Sequence, residues 1–451
     1  MGIFNSIATS NNAAAASLPY PKGFMVKMGR IAFKKQGTPQ KSEYESFLSD
    51  LQDLRPDLSE DFIKEILLDQ RLYLEKNPDV KNAKLCPVYH YYNYGHKEKR
   101  ELCAPNFRAL KKHSDKTGTQ KIVFFDTLKS NASFLYRGFF PEVRNKDSNI
   151  IHQETDLITA IKAIFSANEM VFIRPSANSK KTKYFISMCK LLNIKISMNF
   201  DDLLIPEFIL DKGAVRSEIA NIPAMRNNLI KDSAMLLGAE KLILSTNKLG
   251  DTFSGFVDEV VVENNRLPYE FFRSKEELRS NINKRNEKIN FLYLSGSRTH
   301  LKDYTIISGC LIKLAMEFPK RFVINFLGTL NDQTSIFSNL GVETNYIPFV
   351  SFEEMMQEIG KNDLVLVPLE KTIFNHAKSN IKFIEAASQG VPVIASKVDE
   401  YEAAIESGVN GWLCDTEHQW YETLKAIILD EVNLKKVGLA AYGKAVGSYS
   451  V

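Results

Sequence analysis

From Lys121 onward the chain is built of short apolar runs separated by helix-length stretches, and that alternation restricts the fold more than any other feature. The first series comprises Lys121 to Phe125, Met170 to Ile173, Ile194 to Phe200, Lys241 to Ser245 and Glu259 to Val262. Most of these runs are apolar on both faces, as strands buried between two helical layers must be. The second series comprises Ile289 to Leu294, Phe322 to Leu327, Thr344 to Ile347, Asp363 to Val367, Val391 to Ala395 and Gly411 to Cys414. Between the series lies a charged stretch, Arg273 to Lys288, with only scattered apolar residues. A chain of 451 residues is too long for one ordinary core. The expected class is therefore α/β: two tandem Rossmann-like domains, 119–270 and 289–451, joined by a linker over 271–288.

Upstream, residues 41–118 read as a small helical module. Ser59-Glu60-Asp61 starts a helix that carries Phe62, Ile63, Ile66 and Leu67, with its acids in the first turn as the helix dipole favours. Tyr89, Tyr91, Tyr92 and Tyr94 form an aromatic cluster suited either to stacking on a sugar or to the core of a unit short of aliphatic residues. Residues 1–40 read as a flexible leader. In it Phe24, Met28 and Ile31 fall at helical spacing among Lys27, Arg30, Lys34 and Lys35, which fits a loosely docked leader or a basic amphipathic segment on an anionic membrane. Met1-Gly2 with Ser6 matches only the loose pattern for N-terminal acylation.

Composition narrows the function. At 44% hydrophobic and 25% charged, with net charge +4, the chain is a folded protein only mildly basic. That balance suits anionic substrates and argues against a dedicated nucleic-acid binder. The five cysteines are scattered without a CxxC pair or a histidine at ligand spacing, so no metal site is expected. No run of about 18 apolar residues exists to span a membrane, and the first residues lack the basic start and apolar core of a secretory signal.

The chemistry concentrates in Phe374 to Ser396: a loop, a helix capped by Ser379 or Asn380, a stop at Gly390 and a buried strand. A helix starting there aims free amides into a cleft, which favours phosphate. Lys378 and Lys382 add positive charge, and Glu385, expected on the same helical face, offers a carboxylate to two sugar hydroxyls. In the first domain, Asp201 and Asp202 at a strand end are placed to orient an acceptor hydroxyl, to act as base, or to cap the next segment. Arg137 and Arg174 are expected to face the same cleft and to bind an anionic acceptor or a donor phosphate. Ser351 and Glu354 have the spacing of a capping box.

The stretch around Glu385 resembles the hallmark helix of the group 1 (family 4) glycosyltransferases, a glutamate, seven residues, then "EA…G.PV". The resemblance implies a GT-B fold and transfer from a nucleotide-diphosphate sugar, retaining and metal-independent, with no further cofactor. Glu385 matches the glutamate that binds the ribose; where the family has its first glutamate this chain has Lys378, as in a polysaccharide-biosynthesis subgroup with "AKS..K..E". Segment Asn77-Pro78-Asp79-Val80 to Arg100 resembles one that precedes such domains in bacterial polysaccharide transferases. Gly296, Arg298 and Lys302 stand where the family holds the diphosphate, and Gly328 with Pro348-Phe349-Val350 where it receives the base. The family's glycine pair after the first strand is absent, since Thr127 to Asn131 occupies its place. A closing C-terminal helix that crosses back to the first domain is usual in this fold, and here the chain ends soon after Ala440-Ala441-Tyr442.

The expected acceptor is a growing surface glycan, such as capsule or O-antigen, or a lipid-linked oligosaccharide. The expected location is the cytoplasm, with peripheral contact at the inner membrane face. A nucleotide-sugar 2-epimerase and a non-catalytic glycan-binding or scaffold subunit share the same fold and remain open at this point.

Overall fold

The computed structural model describes residues 43–106, 110, 120–126, 132–142, 148–152, 154–280, 287–296, 301–330 and 333–451. The leader 1–40, Arg298 and the Thr127–Asn131 loop lie outside them.

Two six-stranded sheets carry the chain. The first contains β1 (Gln120–Phe125), β2 (Ser148–His152), β3 (Ala167–Ile173), β4 (Lys195–Phe200), β5 (Lys241–Leu244) and β6 (Glu259–Val262) in the order β2-β1-β3-β4-β5-β6. The second contains β7 (Ile289–Ser295), β8 (Phe322–Gly328), β9 (Glu343–Ile347), β10 (Leu364–Val367), β11 (Val393–Ser396) and β12 (Trp412–Cys414) in the order β12-β11-β10-β7-β8-β9. Every pairing is parallel. These are the two Rossmann-like domains expected from the alternation. β2 is an addition: its Ser-Asn-Ile-Ile-His sequence is half polar and carries no sustained apolar run.

In each sheet the strand order reverses beside the first strand, between β1 and β3 and between β7 and β10. Crevices open at the carboxyl ends of strands at such switch points. The two crevices face each other.

The helical segment shares its interior with the first sheet. Phe47, Ile63, Tyr73 and Tyr92 belong to one apolar cluster with Ile122, Phe172, Phe185 and Met198. Tyr92 and Tyr184, one from each part, both donate through Oη to the carbonyl of Leu67, at 3.2 and 3.1 Å. Tyr91 and Tyr92 are buried edge to face, whereas Tyr94 is exposed, so most of the aromatic cluster is core. Arg100 donates to Asn77 Oδ1 (3.0 Å) and to both oxygens of Asp79 (2.9 and 2.8 Å), which gives the "NPDV…R" spacing its structural meaning.

The expected helix signals act locally. Ser59 Oγ accepts from Phe62 N, and Ser351 and Glu354 form the reciprocal capping box. Gly390, at φ +72°, ends the helix Ile381–Ser388. The helix Leu434–Tyr449 closes the fold by packing on Ile381–Ser388. Their approach is close: a Cβ on Gly438 would lie 2.0 Å from the Gly390 carbonyl. Residues 449–451 then pair with the segment leaving the first domain, through Leu267 N to Tyr449 O (2.8 Å) and Val451 N to Leu267 O (3.1 Å).

Candidate functional site

A cavity of about 540 Å³ lies between the carboxyl ends of the sheets. Its second-domain wall is the chain that follows β10. Asp303, buried on the helix Leu301–Glu317, accepts from Glu370 N (2.9 Å) and Asn375 Nδ2 (3.0 Å) and so fixes the course of that loop. The short helix Ile373–His376 ends, and a turn carries Lys378 and Ser379 into the cavity before the helix Ile381–Ser388 begins. Lys378 is therefore not on one helical face with Lys382 and Glu385, as expected from spacing. The turn nevertheless brings all three to the same cavity. Asn380 occupies the N-cap position without capping: its Nδ2 donates inward to Glu400 O (3.2 Å) and Tyr449 Oη (2.9 Å). Asn380 is a buried tie to the closing helix, and it does not line the cavity.

The pKa values of Glu385 and Lys382 are both displaced toward neutrality. Burial raises the Glu385 carboxyl to about 7, opposed by a hydrogen bond from Tyr136 Oη (2.9 Å) and by the charge of Lys382. Burial lowers the Lys382 ammonium to about 8, assisted by Lys378 and opposed by Asp303 and Glu385. Its Nζ donates to the Leu294 carbonyl at 2.8 Å and sits over the Tyr293 ring. A carboxylate and an ammonium poised near neutrality in a cleft are a mark of functional sites.

The first-domain wall is built from the ends of β1, β3 and β4. Arg174, at the strained φ of +43°, follows β3 and donates to Asp202 Oδ2 (2.7 Å) and to Ser133 Oγ (2.9 Å). Ser133 in turn donates to Asp201 Oδ2. Neither aspartate caps the following segment Pro206–Asp211, whose N-cap is Ile205. Burial works against the charge of Asp202, but Arg174, Lys212 and Lys378 outweigh it and hold its pKa below the usual range. Asp201 shifts upward, chiefly through burial and its acidic neighbour. Its Oδ1 is buried and lies 3.5 Å from Arg174 Nη1 as an ion pair, but among the described residues it has no hydrogen-bond partner.

Lys212 and Lys378 approach from opposite domains and both stand over the Phe374 ring, at 4.5 and 5.2 Å from its centroid. Burial lowers the Lys212 pKa, with Asp202 opposing and the like charges of Arg174 and Lys378 adding to the shift. Lys212, Tyr136 and Ser133 escape sequence reading because their significance lies in partners distant along the chain.

Cross-domain hydrogen bonds hold the turn that carries Lys378 and Ser379. Thr246 Oγ1 donates to the Ala377 carbonyl (3.0 Å), and Asn265 Nδ2 donates to Ser379 Oγ (2.8 Å). Glu400 accepts from Asn247 N at 3.1 Å and from Asn264 Nδ2 at 3.3 Å. Arg137 lies behind this network, not in the cleft as expected. Its Nε donates to Asn199 Oδ1 (2.7 Å) and its Nη1 to Glu263 O (2.6 Å) and Asn265 Oδ1 (3.1 Å). Arg137 buttresses Asn265 from inside the first domain.

Gly296, Leu327, Phe349 and Val350 complete the cavity on the β7–β8 side. Gly328 is not part of its lining; at φ +113°, a Cβ there would lie 1.8 Å from the Ser295 carbonyl. Its requirement is close strand packing. Lys302, on the first turn of Leu301–Glu317, also stands outside the lining, and Arg298 falls outside the described residues. Among the described residues no group of three His, Cys, Asp or Glu side chains is placed to hold a metal.

Comparison with known proteins agrees with this architecture. Residues 320–430 match the family model of the group 1 glycosyl transferases. Among solved structures the chain is similar to Anabaena HepE in complex with UDP, at 14% identity and a TM-score of 0.51, over 73% of this chain and 96% of that one. It is also similar to sucrose-phosphate synthase from Thermosynechococcus elongatus, at 13% identity and a TM-score of 0.52, over 74% and 95%. None of the curated proteins compared matches the chain. The opposed sheets are thus those of the GT-B fold, residues 320–430 carry its group 1 glycosyl transferase signature, and the chain is a glycosyltransferase.

Proposed function

We propose that the chain transfers a sugar, with retention, from a nucleotide-diphosphate donor to a hydroxyl of a growing surface glycan or lipid-linked oligosaccharide. The observation that carries this reading is the single cleft in which Lys378, Lys382 and Glu385 face Arg174, Asp201 and Asp202. HepE, which shares the fold, has been seen with UDP and with UDP-glucose, and a donor of that class fits a wall of two ammonium groups and one carboxylate.

Glu385 accepts from the ribose hydroxyls. Lys378 and Lys382 offset the charge that develops on the leaving diphosphate, a metal-independent form of stabilisation by fixed cations. Phe349 and Val350 give the base an apolar surface. Asp201 Oδ1 receives the acceptor hydroxyl, while Arg174 holds Asp202 ionised beside it. Lys212 and Arg174 favour an acceptor that is itself anionic.

Among the described residues no helix is long and apolar enough to cross a membrane. The reading places the enzyme at the cytoplasmic membrane face and assigns its contact with anionic lipid to the basic leader.

Nucleotide sugars screened for thermal stabilisation identify the donor, since a ligand that binds the folded state raises the melting temperature by mass action. Lys378→Ala and Glu385→Ala are expected to abolish transfer to a glycan acceptor without unfolding the chain. Full activity in both variants overturns the assignment.

A further inference from the structure

Glu385 lies on the second domain, yet the side chain that addresses it directly comes from the first. Tyr136 belongs to a π-helical turn, Phe134–Phe139, that follows β1. Its ring is only 1% exposed and is clamped edge-on by Phe140 at 5.2 Å and by Phe352 of the second domain at 6.2 Å. Both domains therefore fix the ring, and its hydroxyl reaches Glu385 Oε1 at 2.9 Å. The turn divides the work of adjacent residues. Ser133 reaches Asp201, Tyr136 crosses to Glu385, and Arg137 points back to Asn199.

We propose that Tyr136 is a positioning residue for the donor: a first-domain hydroxyl that aims the Glu385 carboxylate and makes the nucleoside grip depend on closure of the cleft. The inference rests on the donor-site reading of Glu385. With Oε1 occupied by Tyr136, Oε2 is presented to the ribose in one orientation. When the domains part, the carboxylate loses both its orientation and the donor that opposes its desolvation. The groups facing Glu385 are Tyr136 from the first domain, Lys382 on its own helix and Tyr401 from the following helix. Among them Tyr136 alone moves with the first domain.

Tyr136→Phe keeps the ring and removes only the hydroxyl, so the packing against Phe140 and Phe352 survives. The test compares the full chain with Tyr136→Phe, Glu385→Gln and the double variant, measuring donor KM and kcat across the neutral pH range, with melting temperature as the control for folding. Tyr136→Phe is expected to raise donor KM about tenfold near neutrality, as loss of a charge-assisted hydrogen bond does, with a smaller change in kcat. The acid limb of kcat/KM for the donor should move upward by about one pH unit, and the deficit should shrink at higher pH as Glu385 ionises. The double variant should be no worse than Glu385→Gln. An acid limb unmoved in Tyr136→Phe, beside a loss in Glu385→Gln, overturns the role of Tyr136 and leaves the donor site standing. A wild-type donor KM in Glu385→Gln overturns the donor-site reading itself, and this role with it.

Discussion

Arg216 of the first domain donates through Nε and Nη2 to the two carboxylate oxygens of Glu370 in the second, at 2.7 and 2.6 Å. This paired contact bridges the two domains next to Leu369, which lines the cavity. Arg216 is more than a third exposed, so its contribution to global stability is small, at most about 1 kcal/mol. Arg216→Ala is expected to leave the melting temperature nearly unchanged but to raise donor KM several-fold, more at low salt than at high. Exchanging the charges, Arg216→Glu with Glu370→Arg, should recover most of the loss. A donor KM unaffected by Arg216→Ala would show that the contact does not help close the cleft.

Donor binding should have a narrow pH optimum. Below about 7 Glu385 takes up a proton and ceases to be a strong acceptor; above about 8 Lys382 loses the charge that the proposed donor site sets against a diphosphate. kcat/KM for the donor is expected to fall on both sides of that interval, as the titration of the interacting pair. Lys382→Met should lower the maximum and remove the basic limb. A profile flat from about pH 6 to 10 contradicts this assignment.

The same burial carries a stability cost. The folded pKa of Glu385 is raised from 4.5 to about 7, so the protonated form is favoured in the folded state. Its stabilising contribution is full below 4.5 and is lost as pH rises to about 7. Glu385→Gln, which does not titrate, should therefore gain melting temperature relative to the parent across that window and keep the gain at pH 8, while losing donor affinity. Parallel stability curves for the two proteins between pH 4 and 8 are the outcome that would falsify this linkage.

Gly328→Ala should be among the more damaging small substitutions. It places a Cβ against the Ser295 carbonyl at 1.8 Å and demands φ near +113° of a residue that resists it. A loss of about 2 kcal/mol or more is expected in urea unfolding, accompanied by weaker donor binding because Ser295 and Gly296 line the cavity.

The sheets were legible because buried parallel strands leave continuous apolar runs: Lys121 to Phe125 and Phe322 to Leu327 could hardly be read otherwise. β2 was not, since Ser148 and Asn149 break the run before Ile150 and Ile151. Gly390 and the Ser351–Glu354 box were legible because caps act over a few residues. Lys378 was misplaced on a helical face because spacing alone does not reveal that Asn380, at ψ +35°, interrupts the helix before Ile381. Arg137 and Asn380 look like ligand residues by type, but the hydrogen bonds they make run inside the protein, and the buried Arg137 Nη2 has none among the described residues. Tyr136 was invisible for a different reason: it meets Glu385 across 249 positions of sequence. Local pattern finds the elements, whereas pairings between domains exist only once both are folded.

The pairing of residues 449–451 with Leu267 and Tyr269 gives the two domains a second strap beside the covalent one. The chain thus leaves the first domain and returns to its exit point, so that the backbone around Leu267 is gripped from both ends of the second domain.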